Sequence, residues 1–348
     1  MESGRIEIAA LDGPFDLQST LESGQTYLWT RADGEGYTAS AAHGGDAWYE
    51  TVLPPIPELA DLPTVLRARQ LGGVDDGTIE WEAGGVPTDV DATSASPADD
   101  QAPAEPTEPV DGEAVLTHLL RLDDDLTTLY DATGGRPLLE RAYERYRGLR
   151  LVRDPAFPCL VSFICSAQMR VRRIFDMQNA LREQYGTPVD LGDRVLHAFP
   201  TPATLGARTE AELRDLGLGY RAPYVQRTAA MVADGESHPL DARGLPYEAA
   251  REELTRFVGV GDKVADCVLL FSLGYLQAIP LDTWIQSAIA DYFPDCEGGN
   301  YAETSRALRE RLGAALPQRD EVFGESGVDA YAGYAQTYVF HHLRTDGT

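Results

Sequence analysis

The sequence predicts an α+β protein, with a small antiparallel sheet domain over residues 1–83 and a helical region over residues 113–348. Short stretches of alternating polarity, separated by glycine-rich turns, fill the N-terminal part. After residue 113 the apolar spacing changes to a helical period. Between the two lies residues 84–112, with five prolines, seven acidic residues and neither basic nor aromatic side chains. Such a composition cannot build a core, so it reads as an acidic disordered insertion or linker.

The expected strands include Arg5-Ile6-Glu7-Ile8, Trp48-Tyr49-Glu50-Thr51-Val52 and Thr78-Ile79-Glu80-Trp81. From Ser162 to Tyr185 the residues Phe163, Ile164, Val171, Ile174, Met177 and Leu181 follow near-helical spacing, with arginines interleaved at 170, 172, 173 and 182. One face is then core and the other basic. Thr209 and Glu212 form a capping-box pattern that opens a short helix ending at Gly217-Leu218-Gly219, and a second helix follows from Tyr220. Val264, Cys267, Val268, Leu269, Leu270 and Phe271 make a helix apolar nearly all round, hence buried. Gly274 ends it, and Asp282 is placed to cap a helix from Thr283 to Tyr292.

With 43% apolar residues the chain of 348 can bury a sizeable core. Its formal charge of −27 argues against a nucleic-acid partner, since phosphate neutralisation drives most of that affinity. The charge is uneven, however: residues 141–182 hold nine arginines against three acids, enough for a basic face. An acidic, arginine-for-lysine composition resembles that of proteins from salt-accumulating halophilic archaea, where screening leaves only short-range DNA contacts. The four cysteines lack the spacing of a zinc site or an iron–sulfur cluster and read as reduced core thiols. The six histidines are scattered, so a histidine metal site is not expected. Neither a leader nor a membrane-length apolar run is seen, which reads as a cytoplasmic protein.

Lysine occurs once, at Lys263. A deprotonated lysine can attack an electrophilic carbon and pass through a Schiff base, which arginine cannot do. The other reading is chance survival of a phosphate-binding cation. Lys263 follows the second of two similar turns, Leu216-Gly217-Leu218-Gly219-Tyr220-Arg221 and Val258-Gly259-Val260-Gly261-Asp262-Lys263. Such turns present helix-start amides to a phosphate, or simply connect helices tightly. On the first helical turn, the dipole and partial burial would both depress the pKa of the Lys263 amine. Asp282 either only caps, or also stabilises a developing oxocarbenium ion near the lysine.

The string FVGVGDKVADCVLLFSLGYLQAIPLD at residues 257–282 resembles the signature of the helix-hairpin-helix base-excision DNA glycosylases, in particular the eukaryotic-type 8-oxoguanine glycosylases. The similarity extends through Ser23-Gly24-Gln25, Ser162-Phe163-Ile164-Cys165-Ser166, Gly219-Tyr220-Arg221-Ala222 with Tyr224, and Ala332-Gly333-Tyr334-Ala335-Gln336 to Phe340. The resemblance implies a catalytic hairpin over 250–292, with Lys263 as nucleophile and Asp282 as stabilising carboxylate. It implies a base pocket formed by Gly24, Cys267, Gln336 and Phe340, with the Gly24 carbonyl selecting 8-oxoguanine. Tyr220 would be the wedge in the duplex, and Arg173 and Arg221 would read the orphaned cytosine. Gly259 and Gly261 would bind phosphate, and the carbonyls of Thr255, Phe257 and Val260 would hold K+ or Na+; no other cofactor is implied. The chain departs from the family at Gln168-Met169-Arg170, where three asparagines are usual, at Trp284 in place of a histidine near the pocket, and at Val258 for a proline.

The expected function is therefore a monomeric, bifunctional 8-oxoguanine glycosylase and abasic-site lyase acting on damaged double-stranded DNA, flipping its target out of the duplex. An alkylated-purine glycosylase on the same fold is the alternative, and a non-catalytic DNA-binding protein the second. The acidic insertion reads as solvated linker, with a partner-binding tail as its alternative.

Overall fold

The computed structural model describes residues 1–37, 46–57, 59–87, 103–313 and 331–346. The N-terminal sheet has five strands: β1 (Glu2–Glu7), β2 (Thr30–Arg31), β3 (Tyr49–Leu53), β4 (Thr64–Leu71) and β5 (Thr78–Gly85). Their order is β1-β5-β4-β3-β2, every pair antiparallel. A short helix, α1 (Leu17–Glu22), lies between β1 and β2. The helical region holds α2 (Gly112–Leu120), α3 (Leu126–Thr133), α4 (Pro137–Arg145), α5 (Ala156–Cys165) and α6 (Val171–Tyr185), then α7 (Pro202–Gly206), α8 (Glu210–Leu213) and α9 (Ala222–Ala233). It closes with α10 (Tyr247–Leu254), α11 (Asp262–Phe271), α12 (Thr283–Tyr292), α13 (Tyr301–Leu312) and α14 (Ala332–Asp346). No helix among the described residues is long and apolar enough to cross a membrane.

Two sheet elements escape the sequence reading. The central strand β4 turns Leu66, Ala68 and Gln70 inward and Arg67 and Arg69 outward. The outward arginines are held by Glu50, Glu82 and Glu80 at 2.6–2.8 Å, all on neighbouring strands. A β6 (Pro188–Asp190) and β7 (Val195–His197) ribbon adds a strand pair to the helical region, and its Val189 packs with Val52, Val65 and Val86 of the sheet.

The stretch 84–112 departs from the disorder expected of it. Gly84 and Gly85 finish β5, and the Val86 amide donates to the Pro63 carbonyl at 2.7 Å. Glu108 exchanges backbone hydrogen bonds with Gly85, Ala104 bridges Val189, and Val110 is buried. Main-chain pairing and one valine suffice for this, which composition alone does not reveal. Residues 88–102, the rest of the acidic insertion, lie outside the described residues.

The helical pattern from Ser162 to Tyr185 is likewise two helices. α5 stops at Ser166, Gln168 takes a positive φ of 54°, and α6 starts after Arg170. Elsewhere the local signals hold. Thr209 and Glu212 form a complete capping box, and Asp282 caps α12.

Two buried side chains bind the sheet domain to the helices. Gln25 donates to the carbonyls of Thr20 and Arg150 at 2.8 and 2.7 Å, and accepts from the Val152 amide at 2.9 Å. Arg150, wholly buried, directs its guanidinium at the carbonyls of Asp12, Gly13, Pro14, Arg121 and Asp124. Removing this donor strands buried acceptors. Arg150→Met should therefore lower the unfolding free energy by about 3 kcal/mol or more. Urea denaturation measures the change, and an unshifted midpoint would refute it.

Candidate active site

The turn between α10 and α11 is set by two glycines of different kind. Gly259 has φ of 83°, and a Cβ there would lie 2.7 Å from the Tyr224 ring, so nothing larger fits. Gly261, which caps α11, has nothing within 4 Å of a Cβ position, and its side of the turn is open. The Thr255 residue ends α10, and the Phe257 carbonyl accepts from the Val260 amide at 3.1 Å, so these three backbone positions lie within one reversal.

Lys263 follows on the first turn of α11, half-buried while Val264–Phe271 are all buried. Its amine donates to the Ser166 hydroxyl at 2.9 Å and stands 5.5 Å from the centre of the Phe163 ring. Ser166 itself donates to the Phe163 carbonyl at 2.7 Å, which leaves its oxygen free to accept from the lysine. The break between α5 and α6 therefore supplies the lysine's hydrogen-bond partner.

Cys267 is one helical turn along. Burial pushes its thiol up to about 12, and the adjacent Lys263 charge only partly opposes this, so the sulfur stays protonated at neutral pH. Asp282 accepts from the Ile285 amide at 2.8 Å as the cap of α12. Burial raises its carboxyl, while the amides of Ile285 and Trp284 and the Lys263 charge act the other way. Trp284 is half-buried on the first turn of the same helix.

The sheet domain reaches this site through residues 23–27. Gly24 has φ of 98°, and a Cβ there would meet Val171 at 3.0 Å, the Phe340 ring at 3.5 Å and the Tyr27 hydroxyl at 3.8 Å. Phe340 lies one turn beyond buried Gln336 on α14, so both share a face. Tyr27 packs edge-on against Phe163 with ring centres 6.0 Å apart. Its phenol is raised first by burial, and Asp282 is among the charges acting on it. Tyr27 and Phe163 thus join the Gly24–Phe340 side to the Lys263–Asp282 side. The Ser162–Ser166 match contains Phe163 and Ser166 but does not assign their contacts, and Tyr27 lies two residues beyond the Ser23-Gly24-Gln25 match.

The remaining positions gather around the first glycine turn. Gly217 and Gly219 have φ of 87° and 61°, and the Arg173 guanidinium lies 2.8 Å from a Cβ position on Gly217. Tyr220 is 53% exposed, whereas Arg221 is only 2% exposed. The Arg221 guanidinium stacks 4.2 Å from the Tyr220 ring centre and donates to the Ala167 carbonyl. It is thus turned inward, towards the same helix break that carries Gln168.

Two profiles divide the chain between them: "8-oxoguanine DNA glycosylase, N-terminal domain" matches residues 7–160, and "HhH-GPD superfamily base excision DNA repair protein" matches residues 161–313. The chain is 32% identical over 361 residues to a "Probable N-glycosylase/DNA lyase" of Methanothermobacter thermautotrophicus, covering 96% of this chain and 95% of that one. It belongs to the 8-oxoguanine DNA glycosylase/lyase family. Its fold is shared with the Clostridium acetobutylicum 8-oxoguanine glycosylase/lyase, solved with double-stranded DNA containing cytosine opposite 8-oxoguanine (TM-score 0.71, 22% identity, 97% and 94% of the chains). It is also shared with the 3-methyladenine DNA glycosylase of Archaeoglobus fulgidus (TM-score 0.65, 17% identity, 99% of each chain). The glycosylase fold therefore does not by itself choose the base.

The capping of α12 by Asp282 can be separated from the part in chemistry expected of its carboxylate. Asparagine caps a helix as well as aspartate, so Asp282→Asn should leave stability within about 0.5 kcal/mol, whereas Asp282→Ala loses about 1 kcal/mol. Base release should fall roughly 100-fold or more in both. Thermal melts alongside single-turnover excision measure the split, and an Asn variant with full activity would remove the carboxylate from the chemistry.

Proposed function

We propose that this enzyme excises 8-oxoguanine from duplex DNA through a Schiff base on Lys263 and then cleaves the abasic strand by β-elimination. The observation that carries the proposal is the setting of the sole lysine: its amine stands at the edge of a dry helix, beside Cys267 and within the field of Asp282. The nitrogen attacks C1′ of the extruded nucleotide, and the bond to the base breaks with its electron pair leaving on the base, which takes up a proton. Asp282, held by two amides, stabilises the positive charge that builds on the sugar. Loss of the nitrogen's proton and ring opening give the imine. Removal of a C2′ proton then expels the 3′ phosphate, and water frees the lysine.

The same reading gives the other residues their parts. The Gly24 carbonyl accepts the extra N–H of 8-oxoguanine, Gln336 bonds its Watson–Crick edge, and Cys267 and Phe340 cover its two faces. Trp284 borders the entrance. Tyr220, the exposed aromatic of the first turn, wedges the duplex. Gln168 fills the vacated space, while Arg173 and Arg221 read the orphaned cytosine, for which Arg221 must leave Ala167. The amides around Gly259 and Gly261 hold a phosphate. A monovalent cation on the carbonyls of Thr255, Phe257 and Val260 would add positive charge there. Both sides of the pocket come from one chain, which favours a monomer, and four free, buried cysteines suit the reducing cytoplasm.

A second reading, excision of alkylated purines, draws on Trp284 near Asp282 and on the shared fold. That chemistry needs only a carboxylate and water, and leaves Lys263 without a task. A non-catalytic DNA-binding role is set aside by the family.

Borohydride trapping decides between them, using duplexes with 8-oxoguanine opposite cytosine, an alkylated purine, or an abasic site. The wild type is expected to form a covalent complex on 8-oxoguanine, and Lys263→Gln to lose at least about 1,000-fold of it. Base release without trapping would make water the nucleophile and favour the alkylated purines.

A further inference from the structure

The apolar run of α11 contains one carboxylate, Asp266, with no exposed surface. Each of its oxygens accepts a hydroxyl: Tyr247 of α10 at 2.7 Å on one, and Tyr301 of α13 at 2.7 Å on the other. Balancing charge stands one ring away. The Arg251 guanidinium lies 5.4 and 5.7 Å from the Tyr247 and Tyr301 ring centres, and that of Arg309 lies 4.3 Å from Tyr247. Both arginines are in turn paired with Glu248, and Arg251 also faces Asp262 at 3.8 Å.

The Tyr301 hydroxyl has a second bond that matters more. It accepts from the Leu281 amide at 3.2 Å, and Leu281 immediately precedes Asp282. A phenol has one proton, and the 2.7 Å contact to Asp266 takes it in preference to the Ile279 carbonyl at 3.4 Å. A continuous chain of hydrogen bonds therefore runs from the helix of Lys263, through Asp266 and Tyr301, to the backbone that aims Asp282. Stability alone is a poor reason for such a carboxylate, because an apolar side chain of similar size in a dry core is often no worse.

We propose that Asp266 is a positioning residue of the glycosylase reaction: through the Tyr301 hydroxyl and the Leu281 amide it fixes the Asp282 carboxylate relative to the Lys263 amine. The inference rests on Lys263 and Asp282 acting as nucleophile and stabilising carboxylate. Asp266 touches no substrate. Its effect is geometric, and misplacement of reacting groups by a fraction of an ångström is costly.

The arrangement also depends on protonation. Burial pushes the Asp266 carboxyl to about 7, against the opposing pull of the two hydroxyls and of Arg251 and Arg309. Protonated, it becomes a donor towards one of its tyrosines. Where that tyrosine is Tyr301, which already accepts from Leu281, its own proton turns to Ile279. Base release should accordingly rise as the pH passes upward through about 7.

The test is single-turnover excision of 8-oxoguanine by the wild type, Asp266→Asn and Tyr301→Phe on both sides of neutral pH, with affinity for a duplex carrying a tetrahydrofuran abasic analogue measured in parallel. Tyr301→Phe removes one hydroxyl only and serves if the Asn variant fails to fold. Both variants are expected to release base roughly 10- to 100-fold more slowly with affinity nearly unchanged. The inflection near pH 7 should vanish in Asp266→Asn. Wild-type rates, equal losses of rate and affinity, or an inflection that survives Asp266→Asn would each overturn the inference; Asp154, also pushed to about 7 by burial, would account for the last. A wild type that forms no borohydride-trapped complex would overturn the underlying reading, and the inference with it.

Discussion

The Lys263 amine is held at the edge of a dry helix without being buried outright, and the packing of α11 sets that position. Residues 264–271 of the helix are buried, partly against α5, where Phe163 stacks on Phe271 with ring centres 5.5 Å apart. Only its N-terminal edge, with Gly261, Asp262 and Lys263, is open. The same dryness acts on the neighbours. It raises the Cys267 thiol and the Asp282 and Asp266 carboxyls, so that each proton in this region is held by local geometry more than by the solvent.

The proposed pocket draws on segments far apart in the chain, and its two sides have to be kept in register. The sheet domain contributes the Gly24 wall and the helices contribute the rest. Gln25, adjacent to Gly24, and Arg150 are wholly or nearly buried, and they bond backbone carbonyls across the boundary, Gln25 that of Arg150 and Arg150 those of Asp12, Gly13 and Pro14. Backbone acceptors suit this task because they cannot rotate away as side chains do. The positive φ at Gly24 then lets the main chain approach Phe340 with no Cβ between them.

Much of this was legible in the sequence where the signal is local. The cap at Asp282, the capping box of Thr209 and Glu212, and the buried character of α11 are written in neighbouring residues, and all stand in the structure. The spacing of Lys263, Cys267 and Asp282 could be read because it lies within one stretch. Strand β4 was harder: its outward arginines look like a solvated face until Glu50, Glu80 and Glu82 are seen beside them on other strands. The break at Gln168 was hidden because apolar spacing continues across it, while the backbone turns on a single positive φ. Ser166 as partner to Lys263, Tyr27 as the link between the walls, and the tyrosines around Asp266 depend on contacts between distant segments, and no local pattern marks them. Asp266 itself had a signal, as a lone carboxylate inside an apolar helix.

The break between α5 and α6 has a consequence for both glycine turns. Ser166 accepts the lysine's hydrogen bond, and the carbonyl of the next residue, Ala167, accepts that of Arg221. The two acceptors, a side-chain hydroxyl and a backbone carbonyl, belong to consecutive residues of the break. One short break thus serves both glycine turns, taking the arginine of the first and the amine of the second within two residues.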